Sequence, residues 1–294
     1  CALRVSRRID SDYSEVAEAW IPVTQRAVFT ARYRGEQVLL KAFAAGGDAE
    51  ADIERELIVS QLRHPNIVEV EAVFFDPARC ATYIQMAACP CGSFRQWALT
   101  GTAREPWKIQ SAGAQVLHAL SYLHSAGIVH RALSPDGVLM HSETGVRLTD
   151  FCWARGVDAA AGGVRDCTAN PYAPPEIQES ESVPDADASE DMWAFGALMF
   201  EAHWGTIPFL LPKADNVEVT GYPNARLVAL LGLCLSRSPS ARPSATDALV
   251  SSYFTVSLVH DLQEGREVSS SAKRIEAFYA FLEATRALED TSSV

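Results

Sequence analysis

Few side chains in this sequence are placed to do chemistry, and they are far apart. Lys41 ends the alternating apolar run Val38-Leu39-Leu40-Lys41, and Asp150 opens the triplet Asp150-Phe151-Cys152. A lysine in such a run either snorkels at a sheet edge or pairs structurally with a distant carboxylate, and Asp150 is a candidate partner. The cysteines (Cys1, Cys80, Cys89, Cys91, Cys152, Cys167, Cys234) are odd in number and lack framework spacing. They are expected as free or buried thiols in a reducing compartment, cytoplasmic or nuclear. Cys89-Pro-Cys91 with nearby Cys80 offers three thiolates to zinc, but no fourth ligand stands at finger-like spacing, so no metal is expected.

The chain has 294 residues, 48% of them apolar, enough for one large domain or two lobes with real cores. Its net charge of −12, with 37 acidic against 25 basic residues and no long Lys/Arg run, argues against a nucleic-acid partner. No apolar run reaches the roughly 18–20 residues that span a bilayer, and no charged-then-apolar leader opens the chain, so no membrane insertion is expected. A start at Cys1 suggests a segment of a longer protein or a processed product.

These groups need elements to hold them. From Trp20 to Phe43 the apolar residues alternate, with a turn at Arg34-Gly35, which predicts a hairpin and a third strand. Ile53, Leu57, Ile58 and Leu62 predict a helix over Asp48–Leu62, ended by His64-Pro65-Asn66. Two more strands follow, Ile67–Phe75 and Thr82–Met86, and then helical periodicity from Ser93 to His124. The small-residue stretch 87–92 between the β-rich and α-rich parts is a candidate hinge and cleft. Residues 150–176 read as loop. Ser189–His203 reads as a buried helix, and Ala225–Leu235 and Ser244–Val250 as two further helices.

His130-Arg131-Ala132-Leu133-Ser134-Pro135-Asp136-Gly137 resembles a protein-kinase catalytic loop, Asp150-Phe151-Cys152 the metal-binding triplet, and Pro174-Pro175-Glu176 the end of an activation segment. Val38–Lys41, His64–Val68, Asp191–Gly196 and Arg242-Pro243 extend the resemblance over about residues 14–256 in family order. It implies an α+β, bilobal protein-kinase-like fold with a β-rich N-lobe and an α-helical C-lobe. The expected organisation is an N-terminal extension at 1–13, N-lobe at 14–86, hinge at 87–92, C-lobe at 93–256 and a tail at 257–294.

The resemblance also marks what is missing. Ala132 stands where the family has its catalytic Asp, Ser134 replaces the loop Lys, Gly137 the metal-binding Asn, and Cys152 the triplet's glycine. Ile21, Val23 and Arg26 fall where glycines would admit phosphates, so their side chains are expected to obstruct a nucleotide. Leu39 takes the place of a small residue above the adenine and is expected to press toward Leu139. Lys41 and Asp150 survive as vestigial nucleotide-binding groups. Counting back from Pro65 places Arg55 opposite Lys41, whereas a turn one residue shorter would place Glu56 there. His130, Phe151, Glu176, Asp191 and Arg242 are expected to be structural, with Glu176 and Arg242 as a salt bridge.

The resemblance and these losses together imply a pseudokinase: not an enzyme, but a scaffold or allosteric module for a protein partner, which another domain of the same parent chain could supply. No cofactor is expected, although Lys41 and Asp150 leave room for ATP and Mg²⁺. The alternative is an atypical nucleotide-binding kinase, or a nucleotide sensor, using those two residues. Thr168 and Tyr172 are candidate phosphorylation sites that Arg131 could meet, beside the plainer reading of ordinary loop hydroxyls. The short span from Pro208-Phe209 to Ala225 implies a substrate-docking helix that is shortened or missing. In the tail, Ile275, Phe278, Leu282 and Leu288 form an amphipathic face that either packs back or docks a partner. That extension is faintly similar to the Scy-like pseudokinases.

Overall fold

The computed structural model describes residues 4–20, 26–47, 49–58, 61–99, 106–157, 170–180, 185–207 and 224–255. The chain divides into a unit spanning Cys1–Ala248 and a second spanning Leu249–Val294. In the second, a helical turn at residues 252–255 closes with Thr255 Oγ1 donating to the Ser251 carbonyl at 3.0 Å. The amphipathic face expected in the tail lies outside the described residues.

The first unit opens with a helical turn α1 (Ile9–Asp12) and a five-stranded antiparallel sheet, interrupted by one helix. Its elements are β1 (Tyr13–Trp20), β2 (Val28–Tyr33), β3 (Glu36–Ala44), α2 (Ala49–Ile58), β4 (Val70–Asp76) and β5 (Ala81–Ala87), in sheet order β1-β2-β3-β5-β4. The β2–β3 turn places Arg34 at φ 53° and Gly35 at φ 87°, the left-handed pair that a tight two-residue hairpin requires. Strand β1 begins at Tyr13, earlier than the alternation alone predicts. Tyr13 and Ile9 are buried with Phe74 and Tyr83, so the N-terminal residues complete this face of the sheet. Asp76 caps the entry, accepting from the Ile9 backbone N–H at 2.9 Å.

Alternation along β3 decides what each face carries. Val38 and Leu40 join Ile9, Tyr13, Phe74 and Tyr83 on one side. Leu39 and Phe43 join Val28, Ile84, Met86, Leu139 and Cys152 on the other, with Ile53 and Leu57 of α2 packed against them. Lys41 shares the parity of Leu39 and Phe43 and is thereby aimed under α2.

Helices dominate the rest: α3 (Phe94–Leu99), α4 (Pro106–Ser125), α5 (Pro175–Gln178), α6 (Ala188–Trp204), α7 (Ala225–Cys234) and α8 (Ala245–Leu249). Short strand pairs join β6 (Ile128–Val129) with β9 (Arg155–Gly156) and β7 (Val138–Met140) with β8 (Val146–Leu148). Helix α6 starts at a capping box in which Asp187 accepts from Ser189 N (2.7 Å) and Glu190 accepts from Asp187 N (3.0 Å). It ends at Gly205, whose φ of 73° suits a residue without Cβ. Its run from Glu190 to Phe200 is buried, as its apolar composition predicts. This helix is the floor on which the loop at 130–137 rests.

Candidate functional site

Lys41 comes from the inner face of β3 and meets two carboxylates. Its Nζ lies 2.9 Å from Glu56 Oε2 on α2 and 2.5 Å from Asp150 Oδ1, and all three side chains are 1% exposed. Burial alone would push the ammonium toward neutrality, but the carboxylates of Asp150 and Glu56 outweigh it and hold the lysine well above its ordinary pKa. Lys41 is therefore a fixed, fully buried cation. The count that placed Arg55 opposite Lys41 is corrected to the shorter-turn alternative. Arg55 turns away, donating from Nε to the Cys152 carbonyl at 2.5 Å and from Nη2 to Asp52 at 2.7 Å.

Asp150 holds its carboxylate at the site from a left-handed backbone, φ 72° and ψ 53°, at the start of a 3₁₀ turn, Phe151–Trp153. Non-glycine residues persist in that region only where the surroundings hold them. Cys152 is buried and donates from Sγ to Glu56 Oε2 at 3.2 Å. Burial, reinforced by Glu56 and Asp150, keeps its thiol protonated. Among the described residues Glu56, Asp150 and Cys152 form a group of donors close enough to share a metal ion, not the cysteines at 80–91. Asp150 and Glu56 both offer hard oxygens suited to Mg²⁺, but Glu56 Oε2 already accepts from Lys41 and Cys152, which leaves Asp150 as the better placed donor. That ion is ordinarily held by one or two carboxylates together with phosphates and water, so a single carboxylate fits it.

The loop below is held by backbone hydrogen bonds. Asp191 of α6, fully buried, accepts from the backbone N–H of His130 and of Arg131, each at 2.8 Å, and bonds His124 Nε2 at 2.9 Å. These bonds hold Arg131 at φ 64°. His130 bonds the Thr149 carbonyl at 2.9 Å and packs its ring 4.6 Å from that of Phe151. Ala132 and Ser134 are fully buried, and Gly137 N–H is held by Ser134 through its carbonyl (3.0 Å) and its Oγ (3.2 Å). A Cβ added at Gly137 would stand 3.5 Å from both Asp150 Cβ and Ser134 Oγ, ordinary contact distance.

A strand lysine paired with a helix carboxylate and a buried Asp, above a loop hung from a central helix, is the arrangement on which phosphoryl-transfer domains depend. Residues 27–254 match the protein kinase domain family. The chain belongs to the protein kinase family.

Relatives of this kinase domain include a bifunctional serine/threonine-protein kinase/NEDD4-like E3 ubiquitin-protein ligase of Dictyostelium discoideum, 26% identical over 87% of this chain and 16% of the relative. Aurora/IPL1-related protein kinase 2 of Caenorhabditis elegans is 31% identical over 59% of this chain and 55% of its own length. Serine/threonine-protein kinase Aurora-2 of Arabidopsis thaliana is 29% identical over 59% of each. The chain thus spans less than two thirds of the length of these relatives.

The expectation that the chain is not an enzyme is overturned. The relatives are named as protein kinases, and the Lys41–Glu56 pair, which the sequence left open, is formed. The physical reason is a difference in weight between what is absent and what is kept. A general base contributes about 10²–10⁴ in rate, whereas phosphoryl transfer rests mainly on positioning and charge stabilisation, which Lys41 and Asp150 still offer. Ala132 leaves the Lys41–Glu56–Asp150 cluster intact.

Other expected groups of the kinase domain fall as follows. Glu176 and Arg242 meet in a two-pronged ion pair at 2.6 and 2.8 Å, with the Arg242 guanidinium over the Trp193 ring. Tyr172 is buried, and its hydroxyl donates to Glu201 at 2.5 Å while accepting from Arg95 Nη2 at 2.6 Å, so it is no ordinary loop hydroxyl. Arg131 pairs with Glu190 at 3.0 Å. Thr168, Ile21, Val23, the span 208–223 and the tail lie outside the described residues. Arg26, expected to obstruct phosphates, turns instead to Asp52 on α2. Leu39, Leu139, Val28 and Met86 share one buried cluster.

Two groups are not foreseen from the sequence. Arg95 gathers Asp136 (2.8 Å), Glu201 and Tyr172, tying the loop at 130–137 to α3 and α6. Asp52 is fully buried between two arginines. Its position four residues before Glu56 on a helix, hence on the same face, was the available signal.

Proposed function

We propose that this chain is an ATP-binding protein kinase domain with an atypical catalytic loop, in which Lys41, braced by Glu56 and Asp150, anchors the nucleotide's phosphates and transfer proceeds slowly without a carboxylate at position 132. The buried Lys41–Glu56–Asp150 cluster carries this reading. Lys41 supplies fixed positive charge where a phosphate would otherwise meet an apolar roof, and Asp150 would hold Mg²⁺, whose chemistry is to neutralise charge developing on the transferred group. The backbone around Ala132 and Gly137, held by Asp191 and Ser134, keeps the reacting groups' surroundings rigid. Residues 87–92 serve in this reading as the hinge between lobes at 14–86 and 93–256.

A thermal-shift titration with ATP and Mg²⁺, followed by phosphotransfer to a general protein substrate, tests this. Nucleotide at a hundredfold excess over its dissociation constant stabilises the chain by about 2.7 kcal/mol. Transfer that is slow but abolished by Lys41→Met supports the reading. Absence of any nucleotide-dependent shift refutes it.

Ala132, Ser134 and Gly137 favour a second reading, in which occupancy by nucleotide is itself a signal to a protein partner alongside slow transfer. Capture of one partner only with ATP present, lost in Lys41→Met, would favour it.

A further inference from the structure

The Lys41–Glu56 pair forms only if α2 sits close against β3, and α2 is ten residues long with Ile53 and Leu57 as its main apolar anchors. Asp52 supplies a second hold. It lies one turn before Glu56 on the same helix face and is fully buried. Its Oδ2 accepts from Arg26 Nε at 2.9 Å and from Arg26 Nη2, and its Oδ1 from Arg55 Nη2 at 2.7 Å. Arg55 in turn donates to the carbonyl of Cys152, two residues beyond Asp150. One carboxylate therefore ties the segment entering β2, the helix bearing Glu56, and the turn bearing Asp150.

We propose that Asp52 is a positioning residue for nucleotide binding: by bridging Arg26 and Arg55 it holds α2 inward, so that Glu56 reaches Lys41, and it couples the segment entering β2 to that position. This rests on the nucleotide-binding reading above. The mechanism is electrostatic: two guanidinium groups of partial exposure balance a carboxylate with no exposure, and removing its charge releases Arg26 from the helix and loosens the hold that keeps Arg55 on the Cys152 carbonyl.

The test compares the full chain with its Asp52→Asn and Arg26→Gln variants, through two readouts taken well below each melting temperature. The first is the dissociation constant for ATP with Mg²⁺. The second is iodoacetamide alkylation of Cys152 without nucleotide, followed by peptide mass spectrometry. Cys152 is fully buried with its thiol on Glu56, so outward movement of α2 exposes it. Both variants are expected to weaken ATP about tenfold, within the usual span of site coupling, and to raise Cys152 alkylation by a similar factor. A purely structural role would lower the melting temperature and leave both readouts unmoved, and that result overturns the proposal. If wild type binds no ATP, the nucleotide reading fails while the alkylation arm still decides the role of Asp52. Should Asp52→Asn not fold, the same two readouts on Arg26→Gln decide.

Discussion

Lys41 Nζ stands 2.9 Å from Glu56 Oε2, both side chains almost wholly buried, and with Asp150 they form a cluster of one cation between two carboxylates. Three charges without solvent are tolerable only together.

Lys41→Met should therefore do two things. Two buried carboxylates lose their counter-charge, and stability should fall by about 3–5 kcal/mol. Urea denaturation monitored by fluorescence measures that loss, and the same variant should show no ATP-dependent thermal shift. Retention of wild-type stability would mean that the pair is not formed in solution.

The spacing at the loop invites restoration. A Cβ at Gly137 meets its neighbours at 3.5 Å, and the backbone at Ala132 is held by Asp191 through Arg131 and His130. Ala132→Asp combined with Gly137→Asn should raise phosphotransfer about 10²–10⁴-fold, the usual contribution of a positioned base. Transfer of radiolabelled phosphate to a protein substrate, before and after the change, reads this out. No gain in rate would show that something other than these two positions limits the chain.

Leu39 sits with Val28, Met86 and Leu139 in one cluster. Leu39→Ala should cost about 2–5 kcal/mol through the cavity it leaves, while improving ATP affinity by opening space beside Leu139. Calorimetric titration with ATP checks the second effect. A variant destabilised without tighter binding would remove Leu39 from the nucleotide's neighbourhood.

Acid should unfold the chain early. Burial lowers His64, His118 and His203 from their ordinary 6.5 to about 4. Each is neutral in the folded state, whereas the unfolded chain takes up protons from about pH 6.5 downward. Stability is then full above that pH and falls as pH drops toward 4, where the folded state also protonates. Denaturation midpoints measured between pH 7.5 and 4.5 should decline, and a flat profile would contradict the burial of these rings.

Much was legible from the chain alone. Alternation along Val38–Phe43 specifies which face Lys41 takes, the apolar run after Asp187 specifies a buried α6, and Arg34-Gly35 specifies a hairpin turn, because each depends on neighbours in sequence. The kinase architecture followed from ordered short motifs, and the departures from the family pattern at Ala132, Ser134 and Gly137 could be read residue by residue. What the sequence could not decide was pairing over distance. Whether Arg55 or Glu56 faces Lys41 turns on one residue of rotation, about 100° on a helix, set by how α2 packs and not by its composition. The reach of Arg26 to Asp52 and the gathering of Asp136, Glu201 and Tyr172 around Arg95 join groups that chain order keeps apart. A charge's partner is chosen by what lies within a few ångströms once the chain has folded, and that is a property of three-dimensional packing.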